Sequence, residues 1–370
     1  MWKTTEGSTG RLVQLCCAYF FFYVIFGVAT KCFTGHCTIV SPVMTDMEFL
    51  VWSTLGGSLI CLLVVAAGGW WRTGDKASRF VRLGGLRLPA EFRYIIPSGL
   101  CTAVVIPTTT LMYMLLKSVM VAMVIMRASV IVISRLVDES QIRQGILHKE
   151  VYWEENVAVV FAVAAAGTQI FLAKSEDFDF IHNTAALAVL SSYICAYALR
   201  IYIMNYYKNT RPKGAPLDNK WFFSIEQISA SVAMALITLG VFASSSQARP
   251  VLEFHAALSH IHPRWLPASG AGAVYGMVAF FSVFIFMFKG RTATFAGLVN
   301  RLTSLVAGTT ATLLSFFIFG GKFPSPADWA SLALILIAVG FLSLAEKKRV
   351  FELARPLEPA TPKPTAEVKS

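Results

Sequence analysis

Residues 118–132 read SVMVAMVIMRASVIV, an apolar run with one arginine, Arg127, near its middle. Residues 292–306, TATFAGLVNRLTSLV, match it without a gap, so that Arg301 falls on Arg127 and Thr303 on Ser129. A charged side chain at the centre of a membrane helix costs about 2.5–3.5 kcal/mol on insertion scales. Such a residue is therefore a candidate for function, and here two of them stand at matching points of the chain.

The rest of the sequence shows why these runs read as membrane helices. Of 370 residues, 56% are hydrophobic and only 14% are charged, and the mean hydropathy is +0.62. Soluble domains carry about 25% charged residues, so most side chains in this chain are shielded from water. A span needs about 20 mainly apolar residues. Ten runs qualify, near 12–30, 48–71, 94–115, 118–136, 156–173, 184–206, 221–243, 270–288, 292–319 and 327–345. Residues 1–10 are polar and no small-residue cleavage site follows the first run, so that run is expected to stay in the mature protein.

Loop charges orient the spans. With the N-terminus cytoplasmic, the cytoplasmic segments together with the cytoplasmic ends of the spans (Arg135, Arg200) hold 24 lysines and arginines and the opposite side holds 6. This asymmetry is the positive-inside pattern and predicts both termini in the cytoplasm. A bacterial inner membrane and a Golgi or endoplasmic-reticulum membrane both obey that rule. The net charge of +11 sits in short loops rather than on one folded surface, so no nucleic-acid partner is expected.

The predicted fold is an all-α membrane protein of about ten transmembrane helices in two inverted five-helix repeats, residues 1–175 and 176–345. A charged, proline-containing tail over 346–370 is expected to be disordered. An odd number of spans per half turns the second half upside down, the arrangement of many transporters.

Arg127 and Arg301 face at most one carboxylate inside the spans, Glu226. A buried guanidinium without a partner is costly, and a bound anion relieves it. The planar fork of guanidinium suits phosphate. Ser129, Asn300 and Thr303 neighbour the arginines in sequence. Tyr193 and Tyr197, with Arg200, share one face of the sixth span, and Tyr23 follows Tyr19 by one helical turn on the first. These rings are candidates to stack a base or sugar.

Glu226 has two readings, a coupling group and a first-turn acid that complements the helix dipole. Cys32 and Cys37 share a loop and form a disulfide pair if that loop meets an oxidising compartment. His255, His260 and His262 lie in the longest non-cytoplasmic loop, better read as a surface cap than as a metal site. No catalytic residue, metal site or cofactor is expected.

The stretch Leu111–Val137 (LMYMLLKSVMVAMVIMRASVIVISRLV) resembles the third-to-fourth helix segment of the drug/metabolite transporter superfamily, in its nucleotide-sugar and triose-phosphate branch. Leu298–Arg349, which includes NRLTSLVAGTTATLLSFFIFGGKFPSPADW, resembles the ninth and tenth helices of the same branch. Arg127 and Arg301 take the places of its basic residues on helices four and nine. The resemblance departs where Leu302 stands in place of a glycine and where the loop Asp138–Glu155 is long and acidic. It implies ten helices, alternating access, and antiport of a phosphorylated metabolite, a nucleotide sugar first, against a small-molecule counter-substrate. The partners expected are that anionic substrate, the lipid bilayer and, as a candidate, a second copy of the chain. Two other expectations stand beside it: a broad metabolite or drug exporter of the same superfamily, and a non-transporting receptor or scaffold.

Overall fold

The computed structural model describes residues 7–33, 42–72, 80–83, 86–115, 119–149, 151–171, 184–211, 217–320 and 323–354. Within them lie eleven helices: α1 (Thr9–Phe33), α2 (Asp46–Ala67), α3 (Phe92–Leu115), α4 (Val119–Arg143), α5 (Trp153–Phe171), α6 (Thr184–Asn209), α7 (Asn219–Phe242), α8 (Arg249–Ser259), α9 (Trp265–Phe286), α10 (Ala293–Phe319) and α11 (Pro326–Ala354). Seven of them (α1, α2, α6, α7, α9, α10 and α11) are long and apolar enough to cross a membrane. The fold is thus all-helical and consistent with an integral multi-pass membrane protein.

The helix ends follow from local chemistry. Thr45 caps α2 in a reciprocal box with Glu48, which satisfies backbone donors that the first turn leaves unpaired. Asp218 caps α7 through the Trp221 amide. Ser325 accepts from the Asp328 amide while Asp328 accepts from the Ser325 amide, with Pro326 at the first helical position. Gly320 ends α10 in the left-handed region, at φ +67°, where a side chain is strained.

Small residues set a close contact between α2 and α9. A Cβ added at Gly56 on α2 would collide with the Ser269 carbonyl on α9, and one at Gly272 with the Ser53 carbonyl on α2. A Cβ at Gly276 would stand 2.6 Å from the Gly57 carbonyl oxygen. Close backbone approach of this kind substitutes for hydrophobic driving force between helices in lipid. At a second such crossing, a Cβ at Gly99 on α3 would stand 2.6 Å from the Glu226 carbonyl oxygen on α7.

The major helix pairings are α2 with α9, α5 with α11, α3 with α6 and α7, α1 with α9 and α10, and α4 with α5, α6 and α10. Helices from the two ends of the chain interleave throughout. Thr9 Oγ1 donates to Glu346 Oε1 at 2.8 Å, so α1 starts and α11 finishes at one end of the bundle, here termed the terminal face.

Three features differ from the expectation. The loop 244–269 contains α8, a short helix with an apolar side that packs on α2 and α7. A two-stranded antiparallel hairpin, β1 (Phe80–Leu83) and β2 (Leu86–Pro89), stands between α2 and α3. The third is a correction: residues 346–354, expected to be disordered, continue α11. Ion pairs hold this extension, since Glu346 meets Arg291, Lys348 meets Glu154, and Arg349 meets both Glu155 and Glu352. The remaining tail, 355–370, lies outside the described residues.

Candidate functional site

Arg127 on α4 and Arg301 on α10 are both buried, each about 9% exposed. The Arg127 Nη2 donates to the Tyr23 hydroxyl of α1 at 2.9 Å, and its guanidinium stands 5.7 Å from the centre of that ring. Arg301 stands 4.9 Å over the Tyr197 ring of α6. Tyr193 packs on Tyr197 at 5.0 Å, and Tyr19 on Tyr23 at 5.6 Å. Tyr19 joins the two arginines, because it lies within electrostatic reach of both. The cluster is drawn from α1, α4, α6 and α10. It unites Tyr23, Arg127, Tyr193, Tyr197 and Arg301 with Tyr19.

Within this cluster, Arg301 meets the Tyr197 side chain but its bonding is incomplete. Its Nε and Nη2 are buried and have no hydrogen-bond partner. Leaving a buried donor unsatisfied costs about 1–3 kcal/mol, more when it is charged. The arrangement can accept an acceptor-rich anion among hydroxyls and aromatic faces.

Other residues named from the sequence fall elsewhere. Asn300 is fully buried and turns to α9, donating to Ser282 Oγ at 2.9 Å. Ser129 and Thr303 donate to the Ile125 and Val299 carbonyls of their own helices, both at 2.7 Å. Glu226 sits in the second turn of α7 in a cluster of its own. It takes Arg200 Nε at 2.8 Å and Nη2 at 3.2 Å, together with the hydroxyls of Ser98 at 2.7 Å and Thr102 at 3.3 Å. Its carboxylate is thus neutralised within the bundle by Arg200. Cys32 is buried at the end of α1, and Cys37 falls outside the described residues. Two of the loop histidines engage backbone: His255 Nε2 lies 3.0 Å from the Val241 carbonyl, and His262 Nδ1 accepts the Arg264 amide at 3.1 Å.

Sequence reasoning missed a polar network at the terminal face. Asp138 of α4 accepts from the Ala293 amide at 2.8 Å and from the Thr294 amide, so its carboxylate caps α10 where the helix dipole is positive. It also takes Asn205 of α6 at 3.1 Å. Glu155 takes the Thr292 hydroxyl at 2.8 Å and Arg349 at 3.2 Å. Glu91, just before α3, pairs with Arg211 at 2.9 Å. One signal within the tyrosines was also missed. The offset of 174 that separates Arg127 from Arg301 also separates Tyr19 from Tyr193 and Tyr23 from Tyr197.

No model of a known protein family and no curated protein matches this chain. Solved structures do match it. One crystal structure aligns over 92% of this chain and 99% of its own, with a TM-score of 0.56 and 15% identity. At that identity the likeness shows a shared fold alone.

Proposed function

We propose that this protein is a secondary transporter that moves an anionic phosphorylated metabolite, a nucleotide sugar first among the candidates, by alternating-access antiport. The observation that carries the reading is Arg301, a buried guanidinium with two unpartnered nitrogens among tyrosines, on a membrane-length helix. A phosphate supplies the acceptors those nitrogens lack, and bidentate phosphate contacts are the use guanidinium serves best. Arg127 and its Tyr23 contact stand in the same cluster, joined through Tyr19.

The helix pairing supports an architecture of ten spans in two inverted halves. Exchange α1 with α6, α2 with α7, α3 with α9, α4 with α10 and α5 with α11. The α2–α9 contact then becomes α7–α3, α1–α10 becomes α6–α4, and α1–α9 becomes α6–α3; all of these contacts occur. The α4–α10 and α5–α11 contacts map onto themselves. The shared offset of tyrosines and arginines obeys the same exchange. Five helices per half give the two halves opposite orientations, and substrate sites of such transporters lie at the repeat interface. The basic loops favour a cytoplasmic terminal face. On this reading the terminal-face network closes the cytoplasmic side in the conformation described.

The test is exchange in proteoliposomes preloaded with nucleoside mono- and diphosphates and supplied with labelled nucleotide sugars. Wild-type protein should exchange, whereas Arg301→Gln should lose about 10- to 150-fold in substrate affinity, the value of charged hydrogen bonds. Exchange that is unchanged in both Arg127→Gln and Arg301→Gln sinks the anion site. Uptake of uncharged or cationic solutes in place of nucleotide sugars would move the protein to the broad-exporter reading.

A further inference from the structure

The hairpin between α2 and α3 takes no part in the arginine–tyrosine cluster and has an arrangement that isolated peptides avoid. Its register sets Arg82 directly opposite Arg87 and Phe80 opposite Pro89. Directly opposed residues share a face, and side chains two apart on one strand share it too. Phe80, Arg82 and Arg87 accordingly line one depression of about 360 Å³. Like charges directly opposite destabilise a strand pair, and a lone two-stranded hairpin is marginal in water. Neither guanidinium has a hydrogen bond or ion pair among the described residues. The pair is favourable only when something negative lies between the two charges.

The surroundings say what that is. Phe80 is 51% exposed and Val81 48%, on opposite faces of the hairpin. Trp71, in the turn four residues past α2, is 52% exposed, while Trp70 beside it packs against Phe280 in the bundle. β1 follows α2, a helix long and apolar enough to cross a membrane, which places the hairpin where a bilayer's headgroups meet water. Exposed tryptophan is enriched at that level. Between residues 70 and 93 the sequence holds Arg72, Lys76, Arg79, Arg82, Arg87 and Arg93 against Asp75 and Glu91, and Glu91 is buried against Arg211. Clusters of basic residues beside a membrane helix attract anionic lipid.

We propose that the β1–β2 hairpin binds the phosphate of an anionic phospholipid between Arg82 and Arg87, with Phe80 and Trp71 seated at the acyl boundary. The headgroup separates the two guanidiniums electrostatically and gives the hairpin the third partner that a stable strand pair needs. The assignment concerns the lipid alone and holds whatever the transported solute.

Native mass spectrometry of the full chain in detergent tests it, with phosphatidylglycerol and phosphatidylcholine added in equal amounts. Wild-type protein should retain phosphatidylglycerol in preference, and Arg82→Gln/Arg87→Gln should lower that preference by about thirtyfold, the ratio two basic residues confer near an anionic surface. Arg82→Lys/Arg87→Lys, which keeps the charges, should retain most of it. Equal retention of the two lipids by wild-type protein overturns the proposal without recourse to any variant. So does an undiminished preference in a glutamine variant whose circular dichroism is unchanged. Loss of the preference in excess inorganic phosphate would mean that the arginines hold free phosphate, and the lipid assignment would fail. Because lipid retention is measured without transport, its failure leaves the transport reading untouched.

Discussion

Arg127 and Arg301 stand at matching positions, and each meets a tyrosine that is itself at a matching position. Arg127 donates a hydrogen bond to the Tyr23 hydroxyl and lies over that ring, and Arg301 does the same with Tyr197. Tyr23→Phe removes an acceptor from a charged donor and should weaken substrate binding by about tenfold or more. Tyr197→Phe keeps the ring but removes the hydroxyl that Arg301 also engages, so it should weaken binding by about tenfold, whereas Tyr197→Leu also removes a cation–π contact worth about 0.5–2 kcal/mol. Titration calorimetry on the purified variants gives the order. Away from the membrane, burial and then the neighbouring Arg349 pull the Lys149 ammonium down from 10.5 to about 8. Charging it costs more in the folded state than in the unfolded one, so this cost is fully present below pH 8 and fades as pH rises towards 10.5. Lys149→Met should therefore melt higher than wild type near pH 7, and the gap should close on the alkaline side. The two arginines were legible in the sequence because a charge in an apolar run stands out. The neutralising partner of Arg200 was not, since Glu226 is remote in sequence and only the α6–α7 geometry brings them together. Asn300 misled for a similar reason: adjacency to Arg301 says nothing about which helix its side chain meets.

Elements divide in the same way between what periodicity reveals and what packing decides. Each of the ten apolar runs overlaps one long helix, but α4 runs on to Arg143 and α11 to Ala354, beyond the apolar stretches. Polar partners across the bundle, not hydropathy, carry those last turns. The α8 helix and the β1–β2 hairpin are too short to stand out from the loops that hold them. At the α2–α9 crossing, Gly272→Val places methyl groups into the Ser53 backbone and should sharply lower thermal stability and expression. Gly240→Ala on α7 has open space around its new Cβ. It should be neutral or stabilising by up to about 1 kcal/mol, the helix-propensity gain over glycine. Fluorescence-detected size-exclusion after heating separates the two outcomes.

At the scale of the molecule, the terminal face binds α1, α4, α5, α6, α10 and α11 to one another through Thr9, Asp138, Glu155, Asn205, Arg291, Glu346 and Arg349. If this closes the cytoplasmic side during exchange, loosening it shifts the balance between access states. Glu155→Gln, which weakens the hold on Arg349 while keeping a hydrogen-bonding side chain, should raise the labelling rate of a cysteine introduced at Ser134 by a membrane-impermeant thiol reagent. Ser134 is fully buried at the α4–α10 crossing, where its hydroxyl meets Gly297. An unchanged rate would argue against a gate there.

The tyrosines and arginines of the cluster come from helices on both sides of residue 175, so on the proposed transport reading a bound anion touches both sets. A solute bound among them is therefore an adhesive between two polypeptide fragments. If the chain is cut between residues 175 and 176 and the pieces are co-expressed, their recovery as a complex should rise with the concentration of the correct ligand. Candidate solutes can then be ranked by co-purification, before any transport is measured.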